Sequence, residues 1–209
     1  MTSPVKYPRT YHVPWSPGLI NDDRLMESTD VWLDKEIVIT EKMDGENTTI
    51  YSDYLHARST TYTYHESRTF VKQIQGRIGH LIPDGCRICG ENLTAVHSIK
   101  YSDLPSYFMV FSIWNGLNIC QDWDYTKEWC KSNGLDTVPE LYRGIWKGKE
   151  TADKIELDLS KQEGYVIRPV KGFWFNDFLK VVGKYVRKGH VQQDARHWMT
   201  AKVEYNKLK

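Results

Sequence analysis

Apolar residues return along this chain with two periods. Between Arg68 and Ile82, the residues Phe70, Val71, Ile74, Ile78 and Leu81 recur at helical spacing, which predicts a helix with one face packed inward. Elsewhere the runs are short and β-rich: Lys35 to Thr40 (KEIVIT), Asn47 to Tyr51 (NTTIY), Arg87 to Asn92, Tyr107 to Trp114, Gly164 to Arg168 and Phe178 to Val186. Asp44-Gly45 supplies turn chemistry between the first two, so a strand, turn, strand unit is expected there. Asp122 is placed to cap a helix ending near Gly134, and Thr151 to cap another carrying Ile155 and Leu159. Residues 1–30 mix prolines with aromatics and read as an extended arm laid on a core. Many strands with few helices, and no regular β-α-β alternation, predict an α+β domain of antiparallel sheets with flanking helices.

Composition narrows the class. With 209 residues, 40% of them hydrophobic, the chain can bury one sizeable core, and a single domain over 1–209 is expected. Its 28 Lys and Arg balance 27 Asp and Glu, so net charge neither requires nor excludes nucleic acid. No signal-peptide core and no membrane-length apolar stretch is present, which predicts a soluble, cytoplasmic protein. Cys86, Cys89, Cys120 and Cys130 include one C-x-x-C without a second pair at zinc spacing, so buried thiols are expected.

The sharpest local signal is Glu41-Lys42-Met43-Asp44-Gly45-Glu46-Asn47, which contains K-x-D-G at a strand end. Three fixed positions arise by chance in a chain this long with a probability of roughly a few per cent. Taken locally, a hairpin turn beside a solvated lysine competes evenly with a nucleophile. Further motifs follow in order: Leu55-His56-Ala57-Arg58-Ser59, Cys89-Gly90-Glu91-Asn92, Tyr107 to Ile113, Gln162-Glu163-Gly164-Tyr165-Val166-Ile167-Arg168, and Val182-Gly183-Lys184-Tyr185-Val186-Arg187.

Along nearly its whole length the chain thereby resembles the ATP-dependent RNA ligases of the covalent nucleotidyltransferase superfamily. The resemblance implies an ATP-grasp-like nucleotidyltransferase core and an enzyme that joins RNA 5′-phosphate and 3′-hydroxyl ends, with ATP and Mg²⁺ or Mn²⁺ as cofactors. Lys42 would attack the α-phosphorus of ATP and hold AMP. Lys184 would neutralise the phosphate, and Glu163 would stand near the metal. A free lysine is almost wholly protonated at neutral pH, so it becomes nucleophilic only if nearby cations or burial favour the neutral amine, and Lys184 and the metal are the expected cations. Arg58 would grip nucleotide or 5′-phosphate, Glu91 the ribose hydroxyls, and Glu41 would join the nucleotide site. Among Tyr107, Met109 and Phe111 on one strand face, Phe111 is chosen to stack on adenine. Asn47 matches the branch typified by the second phage T4 ligase, which favours RNA. Either Arg187 or Lys188 takes the second basic role of the last motif.

From residue 180 onward eight Lys or Arg face only Asp194 and Glu204, so residues 189–209 form a basic tail able to track phosphates. The resemblance implies a minimal core with no OB domain, its partners being RNA ends or a nicked duplex and an accessory domain or protein. Two alternatives share the chemistry, a DNA ligase and a GTP-using capping enzyme. A third is a catalytically silent nucleic-acid-binding module.

Overall fold

The computed structural model of the protein describes residues 3–20, 23–60, 65–189 and 203–209. The strands are β1 (Tyr11–His12), β2 (Glu36–Lys42), β3 (Glu46–Ile50), β4 (Leu55–Ala57), β5 (Arg87–Asn92), β6 (Phe108–Trp114), β7 (Ile119–Cys120), β8 (Asp136–Thr137), β9 (Glu140–Ile145), β10 (Gly164–Pro169), β11 (Phe173–Trp174) and β12 (Gly183–Val186). The helices are α1 (Thr69–Ile78), α2 (Trp123–Ser132), α3 (Lys149–Ala152) and α4 (Phe178–Val181). One sheet has the order β1-β12-β10-β2-β9, and the other runs β11-β7-β6-β5-β3-β4 with β8 beside β6. Apart from the parallel β1/β12 and β6/β8 pairs, the ladders are antiparallel. This is the α+β architecture that the patterning predicts.

Alternation along the central strands builds the layers. Ile37 and Ile39 of β2, with Tyr165 and Ile167 of β10, turn outward under Trp32 and Trp146. Val38 turns the other way and packs with Met109, Leu93 and Trp123, between the sheets. On the second sheet, Val71, Ile74 and Ile78 of α1 cover Ile50, Ile88 and Val110. Each such buried aliphatic contributes about 1.5–3 kcal/mol of transfer free energy.

Several local expectations are corrected. β2 and β3 are consecutive but do not pair: β2 lies between β10 and β9, β3 between β5 and β4, and Asp44-Gly45 carries the chain from one sheet to the other. The expected helix to Ile82 stops at Ile78, and Gly79–Leu81 tightens into a 3₁₀ turn. Thr151 sits inside the one-turn α3 and does not cap a longer helix. Its hydroxyl accepts from the Lys147 N–H at 3.0 Å, while Ile155 and Leu157 dip into the core with period two and leave Leu159 exposed. The run Phe178 to Val186 divides into α4 and β12, because Phe178 and Val182 are both buried against Trp114, an i, i+4 pair. Asp122 stands at the N-cap of α2 without a side-chain capping bond.

The N-terminal arm is extended, as predicted, and β1 adds it to the sheet edge beside β12. All four cysteines are free, and three of them are buried. Of the basic tail, His190, Arg196, His197, Trp198 and Lys202 lie outside the described residues. Residues 203–209 lie against the 93–104 segment, where the Asn206 amide donates to the carbonyls of Leu93 and Ala95 and accepts from the Tyr101 N–H. Among the described residues no helix is long and apolar enough to cross a membrane.

Candidate active site

The register of β2 on β10 sets Lys42 opposite Gly164. Glu163, immediately before that glycine, pairs its Oε2 with Lys42 Nζ. The glycine is needed: a Cβ at position 164 would lie 1.9 Å from the Tyr185 carbonyl oxygen of β12. The Arg187 N–H donates to the Glu163 carbonyl at 3.0 Å, fixing the backbone from the other side. Gly45 serves the crossing between sheets, since a Cβ there would stand 2.4 Å from the Asn92 carbonyl oxygen.

Lys184 of β12 pairs with Val166 of β10 in register and turns into the same cleft. Its Nζ lies 3.3 Å from Asp23 Oδ1, both side chains being buried. The other Asp23 oxygen meets His12 Nε2 at 3.0 Å, and His12 Nδ1 lies 2.8 Å from the Ser16 hydroxyl. Ser16 Oγ accepts from the Val186 N–H at 2.9 Å, closing a polar circuit between arm and strand. Burial lowers the pKa of Lys184, assisted by Lys42. Burial opposes ionisation of Asp23 as well, but the charge of Lys184 overcomes it and holds the carboxyl below its ordinary value.

A cleft of about 200 Å³ gathers these groups, lined by Tyr7, Arg9, Asp23, Thr40, Glu41, Lys42, Asn47, Arg58, Glu91, Phe111, Val166, Arg168 and Lys184 among others. Seven of the nine residues expected from sequence therefore converge on it, and an eighth, Glu163, reaches it through its pair with Lys42. Arg187 is the exception: it contributes its backbone to Glu163 and its side chain does not line the cleft. Asn47 lines the cleft, and its buried Oδ1 has no hydrogen-bond partner among the described residues. Phe111 meets the arm residue Tyr7 edge-on, with ring centroids 5.1 Å apart.

Electrostatics give the site its resting state. Burial acts to lower the Lys42 pKa, but the carboxylates of Glu163 and Glu91 outweigh it and hold the amine above the ordinary lysine value. Without a cation beside it the lysine is held protonated: burial favours the neutral amine, as expected, but the nearest partner is a carboxylate. Burial pushes Glu91 up to about 8, with Lys42 opposing and Glu163 and Asp44 adding to the rise. Glu91 accepts from the Gly45 N–H at 3.2 Å. The buried Glu163 and the half-buried Glu91 are oxygen donors of a kind that would suit a divalent cation, with Glu163 as its holder. No group of three or more His, Cys, Asp or Glu able to hold a metal stands together among the described residues. Phosphate oxygens and water would complete the coordination, which suits Mg²⁺ or Mn²⁺ better than an all-protein cage.

Several residues at or behind the cleft were given no role from sequence, although Asp44 and Arg168 stand within quoted motifs. Asp44, within K-x-D-G, accepts from the Ser98 N–H, the Ser98 hydroxyl and the Ile99 N–H at 2.9, 2.8 and 2.7 Å, and its own N–H donates to the Tyr101 hydroxyl at 3.0 Å. Tyr7, Arg9, His12 and Asp23 come from the arm, where no motif marks them. Arg168 carried a readable signal, a charge at the buried position of an alternating strand.

The family model described as RNA ligase matches residues 35–186. No match was found among curated proteins. Among solved structures, an archaeal ATP-dependent RNA ligase aligns with a TM-score of 0.57 at 17% identity over 87% of this chain and 48% of its own. A protein of Aquifex aeolicus assigned as an ATP-dependent DNA ligase aligns with a TM-score of 0.57 at 17% identity, over 87% of this chain and 49% of its own. The Naegleria gruberi RNA ligase, as an E227A mutant with ATP and Mn, gives 0.52 at 14% identity over 76% of this chain and 51% of its own. At these identities the likeness is one of fold, and the chain spans about half the length of the structures it matches. The family match runs from the start of β2 to the end of β12 and so takes in Lys42, Glu91, Glu163 and Lys184 together: the chain belongs to the RNA ligase family.

Proposed function

We propose that the protein is an ATP-dependent RNA ligase that seals 5′-phosphate and 3′-hydroxyl ends through a lysyl-AMP on Lys42. The observation that carries this reading is the convergence on one cleft of Lys42, Glu91 and Lys184, from three strands, with Glu163, which precedes β10, paired to Lys42. The cationic Lys42, Arg58 and Lys184 suit the phosphates of ATP, and Phe111 with Val166 offers apolar surface to a base.

In the first step Lys42 Nζ bonds to the α-phosphorus as the bond from that phosphorus to the bridging oxygen breaks, and pyrophosphate leaves with the electron pair. The ammonium first surrenders its proton, for which Glu163 is the adjacent acceptor, and the second amine proton departs as the phosphoramidate forms. Lys184 opposes the negative charge that builds on the phosphate. A divalent cation, which Glu163 would hold, would supply Lewis-acid neutralisation of the phosphates. AMP then passes to an RNA 5′-phosphate, and the 3′-hydroxyl displaces it. Glu91 accepts from ribose hydroxyls, and Asn47 offers its unpaired Oδ1 to a donor.

Incubation with α-labelled ATP and Mg²⁺ or Mn²⁺, followed by intact-mass analysis, tests the proposal. One AMP is expected on the wild type and none on Lys42→Ala. Equal labelling of the two proteins would remove Lys42 as the nucleophile, and preferential labelling by GTP would move the protein to the capping enzymes.

A further inference from the structure

Arg168 is a buried cation with no carboxylate partner among the described residues. It lies on β10, where the register places Gly164 opposite Lys42, Val166 opposite Thr40 and Arg168 opposite Val38. Positions 164, 166 and 168 share one face, so Arg168 stands four residues along the strand from the reacting lysine, roughly 13 Å. Its side chain is 5% exposed and lines the cleft. The guanidinium lies 4.4 Å from the centre of the Trp123 ring, and one Nη donates to the Phe111 carbonyl. Nε and the second Nη are buried with no hydrogen-bond partner among the described residues.

A buried guanidinium with two unmade bonds is costly, and native structures tolerate it where a ligand supplies the missing acceptors. The position says which part of a ligand would do so. Lys42, Lys184 and Arg58 already serve the phosphate end, whereas Arg168 is flanked by Phe111, Val166 and Trp123, the apolar end. What reaches this end of the cleft is the base. We propose that Arg168 reads the nucleobase, its free Nε–Nη edge donating to a purine ring nitrogen of the nucleotide whose phosphate meets Lys42. The inference rests on the reading of the cleft as a nucleotide site and adds a specificity residue to it.

Adenine offers N1, N3 and N7 as ring acceptors, and guanine sets O6 beside N7, so a donor-only edge recognises either base through an acceptor and gains nothing from a donor. Single-turnover labelling of Lys42 in the full chain, with ATP and with its 1-deaza, 3-deaza and 7-deaza analogues, identifies the atom read. For one analogue the wild type is expected to lose roughly 10- to 100-fold in apparent affinity, the range for a hydrogen bond from a charged donor. Arg168→Met is expected to bind that analogue and ATP equally, and Arg168→Lys to recover part of the discrimination. Three analogues that all behave like ATP in the wild type would overturn the proposal without recourse to any variant. So would discrimination that survives in Arg168→Met. A preference for GTP that disappears in Arg168→Met would support base reading while overturning the choice of ATP. Absence of any label from ATP or GTP on wild-type Lys42 would instead overturn the function proposed for the cleft.

Discussion

Lys42, at the end of β2, and Glu163, just before β10, form an ion pair, with the carboxylate 1% exposed and the lysine 23%. Because the pair raises the lysine pKa, the free protein holds Lys42 protonated, and the second-order rate constant for the proposed labelling, which reports the free protein, is expected to climb with pH through neutrality into the alkaline range. In Glu163→Gln the climb begins at lower pH, since the charge that raises the lysine is gone. The rate itself falls by roughly 10²-fold or more, because the group that holds the cation is also lost. A pH series of single-turnover labelling checks both. An unchanged profile in the variant would contradict the assigned pairing.

Glu91 gives a stability signature. Its pKa in the fold, about 8, lies above the ordinary carboxyl value of 4.5, so the folded protein retains a proton that the unfolded chain has released. That contribution is complete below about 4.5 and is lost as pH rises through about 8. Glu91→Gln has no carboxylate to ionise. Urea unfolding of both proteins at pH 5 and pH 9 is expected to show the variant gaining on the wild type at the higher pH, and a constant difference would refute the assignment.

Gly164→Ala places a methyl against the Tyr185 carbonyl, with a built separation of 1.9 Å. Either β10 or β12 must shift, at about 1–3 kcal/mol, the usual cost of overpacking. Because the same shift displaces Glu163 from Lys42, labelling should fall more steeply than stability does. Denaturation midpoints set beside labelling rates make the comparison.

Tyr101→Phe removes the acceptor of the Asp44 N–H, and Asn206→Ala removes the acceptor of the Tyr101 N–H. An unsatisfied buried donor costs about 1–3 kcal/mol. Both variants are expected to lower the maximal labelling rate more than the apparent affinity for ATP, since Asp44 lies two residues from the nucleophile and does not line the cleft. Equal affinity and rate in variant and wild type would show that residues 203–209 do not influence the lysine.

For the substrate, ribonucleotides on the 3′-hydroxyl side are expected to seal faster than deoxyribonucleotides if ribose 2′-hydroxyls are read. Pre-adenylated 5′ ends should join more readily than plain phosphates. Single-turnover rates on the four matched substrates compare the two, and faster sealing of all-deoxy ends would transfer the protein to the DNA ligases.

The strands that hold the site were legible because their patterning is strict. β5 was read to the residue, and β2, β3, β6 and β10 to within one or two residues at either end. Local rules failed where a longer-range partner decided the outcome. Asp44-Gly45 has the composition of a tight hairpin, yet Asp44 is held by Ser98 and Ile99, and the strands on either side go to different sheets. Ile155 and Leu159 have helical spacing, yet Ile155 and Leu157 are the pair that the Trp146 core accepts. At the site, the motifs found Lys42, Glu91, Glu163 and Lys184 but not Asp23 or His12. Those two act through folding of the arm against β12, a relation that no local spacing encodes.

Lys42 ends a strand of one sheet and Glu46 begins a strand of the other, with only Met43, Asp44 and Gly45 between them. A residue of extended chain spans at most about 3.6 Å, so this link has little slack. It is a short tether between two plates, and Lys42 is fastened at one end of it. Any molecule that wedges the plates apart would pull on Lys42 without touching it, so an inhibitor of this protein need not compete for the nucleotide's own place.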